Sequence, residues 1–226
     1  MAPVHPGPRT LRLAHRGDHR HHPENTIPAF LAALDVPACD GLEFDVRLSK
    51  DGVPVVLHDA TLERVQGVAA AALDLTAAEL ERHGVPMLEA VLAAIPRKAF
   101  LDIEVKVPIG RIALEVLAAG RGQDLGDAVV SSFDEEALRR FRGFAPGWPR
   151  WLNSSDLTPA TIRRATLLEC TGISAEWRAI DDASAARVAK AGLSLAGWTV
   201  TRRPTYARLV ELGLVAVCVE GHALDG

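Results

Sequence analysis

Leu42-Glu43-Phe44-Asp45-Val46, followed by Lys50-Asp51-Gly52-Val53 and Pro54-Val55-Val56-Leu57-His58-Asp59, is the stretch on which the fold turns. The first run alternates apolar and charged residues and reads as a strand. Asp-Gly between apolar alternating runs is the strongest short-range hairpin signal. A two-residue turn at Asp51-Gly52 sets Lys50 opposite Val53 and, counting outward, Asp45 opposite His58. The hairpin thereby returns an imidazole to a carboxylate at one rim.

On both sides of this hairpin, short β-branched or apolar runs alternate with longer stretches of helical spacing, the pattern of parallel βα units. Strands are expected at residues 11–15, 42–46, 100–105, 128–132, 150–153, 172–176, 193–199 and 215–219. Helical spacing marks residues 27–34, 87–94, 112–119, 135–141, 183–191 and 206–212. Eight parallel strands within 226 residues predict a compact (β/α)8 TIM barrel with a β-hairpin extension after the second strand. A doubly wound open sheet is the alternative. No Gly-rich or Ser-rich linker divides the chain, so one domain over residues 1–226, with its core at about 11–220, is the expectation.

Composition narrows the function classes. The chain is 48% hydrophobic and 24% charged, so it can bury a core without staples and is not a disordered segment. With 25 Lys and Arg against 29 Asp and Glu, the net charge of -4 gives no footprint for nucleic acid or an anionic membrane. Cys39, Cys170 and Cys218 are widely spread without a C-x-x-C pair, which disfavours a disulfide framework and a thiolate zinc site. Residues 1–10 lack the apolar core of a signal peptide, and no later run is long enough to span a membrane. A soluble, cytoplasmic protein without stable membrane insertion is expected. Its oligomeric state is not legible.

In a βα barrel, the active site is built at the C-terminal strand ends. There the sequence concentrates its ionisable residues: His15-Arg16-Gly17, Glu43-Phe44-Asp45, His58-Asp59 and Glu104-Val105-Lys106. Residues two apart on a strand share a face, so Glu43 and Asp45 point together, as do Glu104 and Lys106. Three converging carboxylates repel one another, and a hard cation, Mg2+ or Ca2+, relieves this through all-oxygen ligation. His15 and His58 can supply a general acid and a general base near neutral pH. Arg16 and Lys106 add donors for an oxyanion. Together these describe phosphoryl-transfer or phosphodiester chemistry.

At these residues the sequence resembles the glycerophosphodiester phosphodiesterase family. The matching stretches are Ala14-His15-Arg16-Gly17, Pro23-Glu24-Asn25-Thr26 with Ala29-Phe30, Gly41 to Val46, Lys50 to Asp59, Glu104-Val105-Lys106 and Trp198-Thr199-Val200. The resemblance implies that His15 and His58 are the catalytic acid-base pair, and that Glu43, Asp45 and Glu104 hold one divalent cation. Arg16 and Lys106 would hold the phosphate, and Trp198 would line the alcohol or glycerol pocket. The activity implied is hydrolysis of small glycerophosphodiesters to an alcohol and glycerol 3-phosphate, a hydrolase reaction of glycerol and lipid metabolism. It proceeds through a cyclic phosphate formed by a glycerol hydroxyl or by direct attack of water. The chain departs from the family at Arg64-Val65-Gln66-Gly67, where Arg-x-Thr-x-Gly is usual, and at Val219-Glu220-Gly221-His222, where Thr-Asp-x-Pro is usual.

Plainer readings stand beside these. His19, His21 and His22 lie before Pro23 without strand or helix spacing and read as a solvated loop. Pro23-Glu24-Asn25-Thr26 reads as a helix start, with Asn25 or Thr26 as the cap and Pro and Glu near the first turn. Glu104 with Lys106 can be an ordinary same-face ion pair, and Trp198 can be core packing. Hydrolysis of lysophospholipids on the same barrel, or diester binding without turnover, are the functional alternatives. A zinc amidohydrolase barrel is disfavoured because its early strand would carry His-x-His, and here His19-Arg20-His21 falls in a loop.

Overall fold

The computed structural model describes residues 9–226. The expectation of no leader segment in residues 1–10 falls, for residues 1–8, outside the described part. In chain order the elements are β1 (Leu11–His15), α1 (Ile27–Leu34), β2 (Gly41–Leu48), β3 (Pro54–Val56), α2 (Glu63–Gln66), α3 (Ala77–Arg82), α4 (Leu88–Ala94), β4 (Phe100–Val105), α5 (Arg111–Arg121), β5 (Ala128–Ser132), α6 (Glu135–Phe144), β6 (Arg150–Ser154), α7 (Pro159–Leu167), β7 (Gly172–Glu176), α8 (Asp182–Lys190), β8 (Ser194–Val200), α9 (Arg203–Glu211) and β9 (Ala216–Val219).

Eight of these strands form a closed parallel ring, β1-β2-β4-β5-β6-β7-β8-β9, sealed by β1 pairing in parallel with both β2 and β9. The doubly wound alternative is thereby excluded, and the (β/α)8 barrel holds. β3 lies outside the ring, antiparallel to the far end of β2, with Val46 opposite Val56. Among the described residues, no helix is long and apolar enough to cross a membrane.

The hairpin departs from the expected register by one residue. Leu48 faces Pro54, and Leu57 N donates to Asp45 O at 3.0 Å, so Asp45 lies opposite Leu57 rather than His58. The turn holds three residues, Lys50-Asp51-Gly52. Gly52 N donates to Ser49 O, Ser49 N donates to Val53 O, and Gly52 takes a left-handed φ of 78°. The reason lies in a side chain: Ser49 Oγ donates to Asp51 Oδ1 at 2.6 Å and accepts from Val53 N at 3.0 Å. This favours the turn-plus-bulge loop over the two-residue one.

Besides the single-turn α2, two helices escaped the periodicity. Only Thr161, Ile162 and Ala165 of α7 are buried, and α3 buries Ala77 and Leu80. Their signals are in the caps instead: Thr158 accepts from Thr161 N ahead of Pro159, and Thr76 with Glu79 closes a capping box. At α1 the cap is Thr26, with Pro28 in the first turn; Pro23 and Glu24 precede the helix rather than entering it.

The inward faces of the strands change character along the barrel axis. β1 reads Leu11, Leu13, His15; β4 reads Phe100, Asp102, Glu104; β6 reads Trp151, Asn153; β9 reads Ala216, Cys218. Leu11, Leu13, Phe100, Val129, Trp151 and Ala216 pack as one apolar plug at the N-terminal end, with the Phe100 and Trp151 rings stacked at 6.2 Å. Polar residues follow on the same faces toward the other end. The plug needs a residue without Cβ on β2, because a Cβ at Gly41 would overlap the Phe100 carbonyl oxygen. Gly41→Ala is therefore expected to destabilise the protein by about 1–3 kcal/mol through overpacking. Urea unfolding checks this, and a change below about 0.5 kcal/mol, the size of an ordinary surface substitution, would contradict the packing argument.

Candidate active site

A cavity of about 220 Å3 opens at the C-terminal end of the barrel, lined by His15, Arg16, Glu43, His58, Glu104, Lys106 and Trp198 among others. Of the eight residues singled out by sequence, only Asp45 is not on its wall, and its carboxylate is buried beside those of Glu43 and Glu104. Oxygens of Glu43, Asp45 and Glu104 fall within 4.8 Å of one another. β2 and β4 are adjacent in the ring and in register, with Asp45 opposite Glu104, so strand pairing itself forces the convergence.

All three carboxylates are buried, Asp45 completely. Burial, then repulsion from Asp45 and Glu104, holds the Glu43 carboxyl well above its ordinary value. Burial likewise raises Glu104 against the pull of Lys106. For Asp45, burial also pushes upward, but Lys106, Arg16 and His58 outweigh it and hold the group low. Lys106 Nζ lies 2.9 Å from Asp45 Oδ1 and 2.5 Å from Glu104 Oε1, and Arg16 Nε lies 3.2 Å from Asp45 Oδ2. Two cations thus face three carboxylates.

The residues fit a divalent ion on the test of their unused oxygens. Both Glu43 carboxylate oxygens are buried without a hydrogen-bond partner, and Asp45 Oδ1, although beside Lys106, has no aligned donor. Orphaned buried carboxylate oxygens are costly, and an all-oxygen set of this kind suits a hard cation.

Each histidine is tied by Nδ1 to a carboxylate. His15 Nδ1 lies 2.5 Å from Glu220 Oε1, and His58 Nδ1 lies 2.7 Å from Asp59 Oδ1. An ionised carboxylate only accepts, so both rings carry Nδ1–H and leave Nε2 free for the cavity. His15 Nε2 lies 3.8 Å from Glu43. Burial lowers the His58 pKa, against the opposing effects of Asp45 and Asp59. Glu220 is held far below the usual carboxylate range by the hydrogen bond with His15 and by the nearby His19.

A second polar layer holds the walls. Arg64 binds both oxygens of Glu24, through NH1 at 2.9 Å and NH2 at 2.6 Å, while its Nε reaches Asp59 at 2.6 Å. Glu24 also accepts from Arg16 NH1 at 2.9 Å. Asn25, read as a cap, instead gives Nδ2 to Asp45 Oδ2 at 2.8 Å. Trp198 Nε1 donates to Ser174 O at 3.0 Å, and the ring meets Phe133 edge to face at 5.5 Å.

Sequence reasoning missed Glu24, Asn25, Asp59, Arg64 and Asp102 as parts of this assembly. Asp102 was findable: it stands two residues before Glu104 on the same face, and burial pushes its pKa up to about 7. Of the three loop histidines, His19 leaves the solvated reading, with Nε2 3.7 Å from Glu220 and a raised pKa caused first by that carboxylate.

Comparison with known proteins converges on one family. The model of the glycerophosphoryl diester phosphodiesterase family matches residues 15–221. A glycerophosphodiester phosphodiesterase of Caldanaerobacter subterraneus subsp. tengcongensis is 30% identical, covering 94% of both chains. An Oleispira antarctica phosphodiesterase, solved in complex with the product sn-glycerol-3-phosphate, superposes with a TM-score of 0.82 at 26% identity, covering 93% of both chains. The Thermotoga maritima glycerophosphodiester phosphodiesterase shares the fold, with a TM-score of 0.79 at 24% identity over 96% of both chains.

Proposed function

The chain belongs to the glycerophosphoryl diester phosphodiesterase family, and from that premise we propose that it is a cation-dependent, single-domain hydrolase cleaving small glycerophosphodiesters to an alcohol and glycerol 3-phosphate. The observation that carries this reading is the pair of carboxylate-tied imidazoles, His15 and His58, on one cavity above a buried carboxylate triad.

Glu43, Asp45 and Glu104 would hold the divalent cation, Mg2+ or Ca2+. When bound, it would neutralise the triad and polarise a phosphoryl oxygen. Arg16 and Lys106 bring positive charge to the phosphate. One imidazole takes the proton of the attacking oxygen, and the other gives a proton to the departing alcohol. The bond from phosphorus to the head-group oxygen breaks, a bond to oxygen ultimately from water replaces it, and the proton leaves with the alcohol. Trp198 and Phe133 exclude water from one side of the cavity. The cavity's small size favours deacylated diesters over lysophospholipids.

Glu220 keeps His15 in the Nδ1–H tautomer with Nε2 aimed at the cavity. Glu220→Gln removes the charge that stabilises the protonated ring, and kcat is expected to fall about a hundredfold with KM little changed. Steady-state kinetics checks this; equal loss in a Ser or Thr variant elsewhere on the rim would contradict it. The overall reading is tested by incubating the protein with glycerophosphocholine and Mg2+ or Ca2+. Equal release of choline and glycerol 3-phosphate is expected, and no glycerol 3-phosphate from any deacylated glycerophosphodiester would overturn it.

A further inference from the structure

Arg64 stands off the cavity wall, yet it grips the side chains that hold two residues on that wall. Its Nε reaches Asp59 Oδ2 at 2.6 Å, and its NH1 and NH2 reach the two oxygens of Glu24 at 2.9 and 2.6 Å. The other oxygen of Asp59 lies 2.7 Å from His58 Nδ1. Glu24 Oε1 also accepts from Arg16 NH1 at 2.9 Å. Five side chains thus form one unbroken line, His58-Asp59-Arg64-Glu24-Arg16, whose two ends both line the cavity.

An exposed ion pair by itself is worth little, but the local fold sets this one apart. Arg64 lies on the single-turn α2, which ends at Gly67 with a left-handed φ of 69°. Leu62, just before that turn, is completely buried in a cluster with Val55, Leu57, Ala72, Leu80 and Val85, and its N–H donates to Ala70 O at 3.0 Å. The backbone beneath a half-exposed side chain is therefore pinned to the β3 arm. Every carboxylate oxygen of Asp59 and Glu24 has a partner, so neither group can turn without breaking a charge-assisted bond. A lysine in this place would keep the charge but has one nitrogen, which cannot grip Asp59 and both oxygens of Glu24 together.

We propose that Arg64 is a positioning residue that ties the imidazole of His58 to the guanidinium of Arg16, so that one clamp sets both the proton-transferring and the phosphate-holding arm. The assignment rests on the phosphodiesterase reading above. Arg64 acts through the two carboxylates and touches no substrate atom. Its loss therefore disturbs catalysis and phosphate binding together while sparing the fold.

The test compares Arg64→Lys and Arg64→Gln with wild type in kinetics, binding and melting. In both variants kcat on glycerophosphocholine is expected to fall about ten- to a hundredfold, the scale on which a misplaced reacting group costs rate. Glycerol 3-phosphate, titrated calorimetrically with Ca2+ present, is expected to bind about three- to tenfold more weakly, the net worth of about one hydrogen bond. The melting temperature is expected to move by no more than about 3 °C. Asp59→Asn and Glu24→Gln cut the line on either side. Added to Asp59→Asn, Arg64→Lys is expected to lower kcat by less than about twofold further, and added to Glu24→Gln it is expected to weaken binding by less than about twofold further. Wild-type kcat and affinity in both Arg64 variants would overturn the clamp, as would effects that multiply in full in those backgrounds. Loss of only one of the two properties would overturn the tie between the arms, and a loss of kcat that tracks a large fall in melting temperature would make Arg64 merely structural. Wild type that neither releases glycerol 3-phosphate nor binds it overturns the phosphodiesterase reading itself, an outcome distinct from an active wild type with unaffected variants.

Discussion

His58→Ala is expected to lower kcat on glycerophosphocholine by about 10³-fold, within the range of a lost general acid or base. The imidazole sits at the end of the β3 arm, its Nδ1 fixed by Asp59, which is in turn fixed by Arg64. His15→Ala is expected to do the same from the β1 side. Because neither ring is fully buried, at 31% and 16% side-chain exposure, folding should survive both substitutions, and the loss should appear in kcat rather than in the melting temperature. Steady-state kinetics beside a thermal melt separates the two. A loss under about tenfold in both variants would remove the histidines from the chemistry.

The second large effect concerns the triad. Chelation is expected to abolish more than about 99% of the activity, the scale of a lost charge-stabilising group, and added Mg2+ or Ca2+ to restore it. Stability gives an independent reading. An ion that binds only the folded chain stabilises it by about 2.7 kcal/mol at a hundred times its dissociation constant, so the melting temperature should rise with added ion. Glu43→Gln should erase that rise. It should not destabilise the ion-free protein, because Glu43 is the carboxyl that burial and two neighbouring carboxylates already press toward neutrality. A melting temperature indifferent to either ion, with full activity in chelator, would contradict a cation site at Glu43, Asp45 and Glu104.

The barrel was legible because its strands are short apolar runs whose alternate residues become ionisable toward one end. Glu43 with Asp45, and Glu104 with Lys106, could be placed on common faces from parity alone, and the observed register of β2 with β4 brings them together. The hairpin register was not legible from Asp51-Gly52, because the decision is made by the Ser49 hydroxyl bridging Asp51 and Val53. Local patterns also misplace Asn25, which carries a capping residue's chemistry yet spends it on Asp45.

Long-range partners are the hardest to read. Glu220 and His15 are separated by most of the chain and meet only because β9 closes the ring against β1. Arg64 joins Asp59, its near neighbour, to Glu24 on the other side of β2. α7 was missed because its buried face is small and weakly apolar, although Thr158-Pro159 marks its start.

The most direct test is a crystal structure with Mn2+ or Ca2+ and glycerol 3-phosphate, the ion located by its anomalous signal. The expected result is one ion within about 2.0–2.6 Å of oxygens from Glu43, Asp45 and Glu104, with the phosphate between His15 Nε2 and His58 Nε2. An ion bound elsewhere, or a phosphate out of reach of both imidazoles, would contradict the assignment.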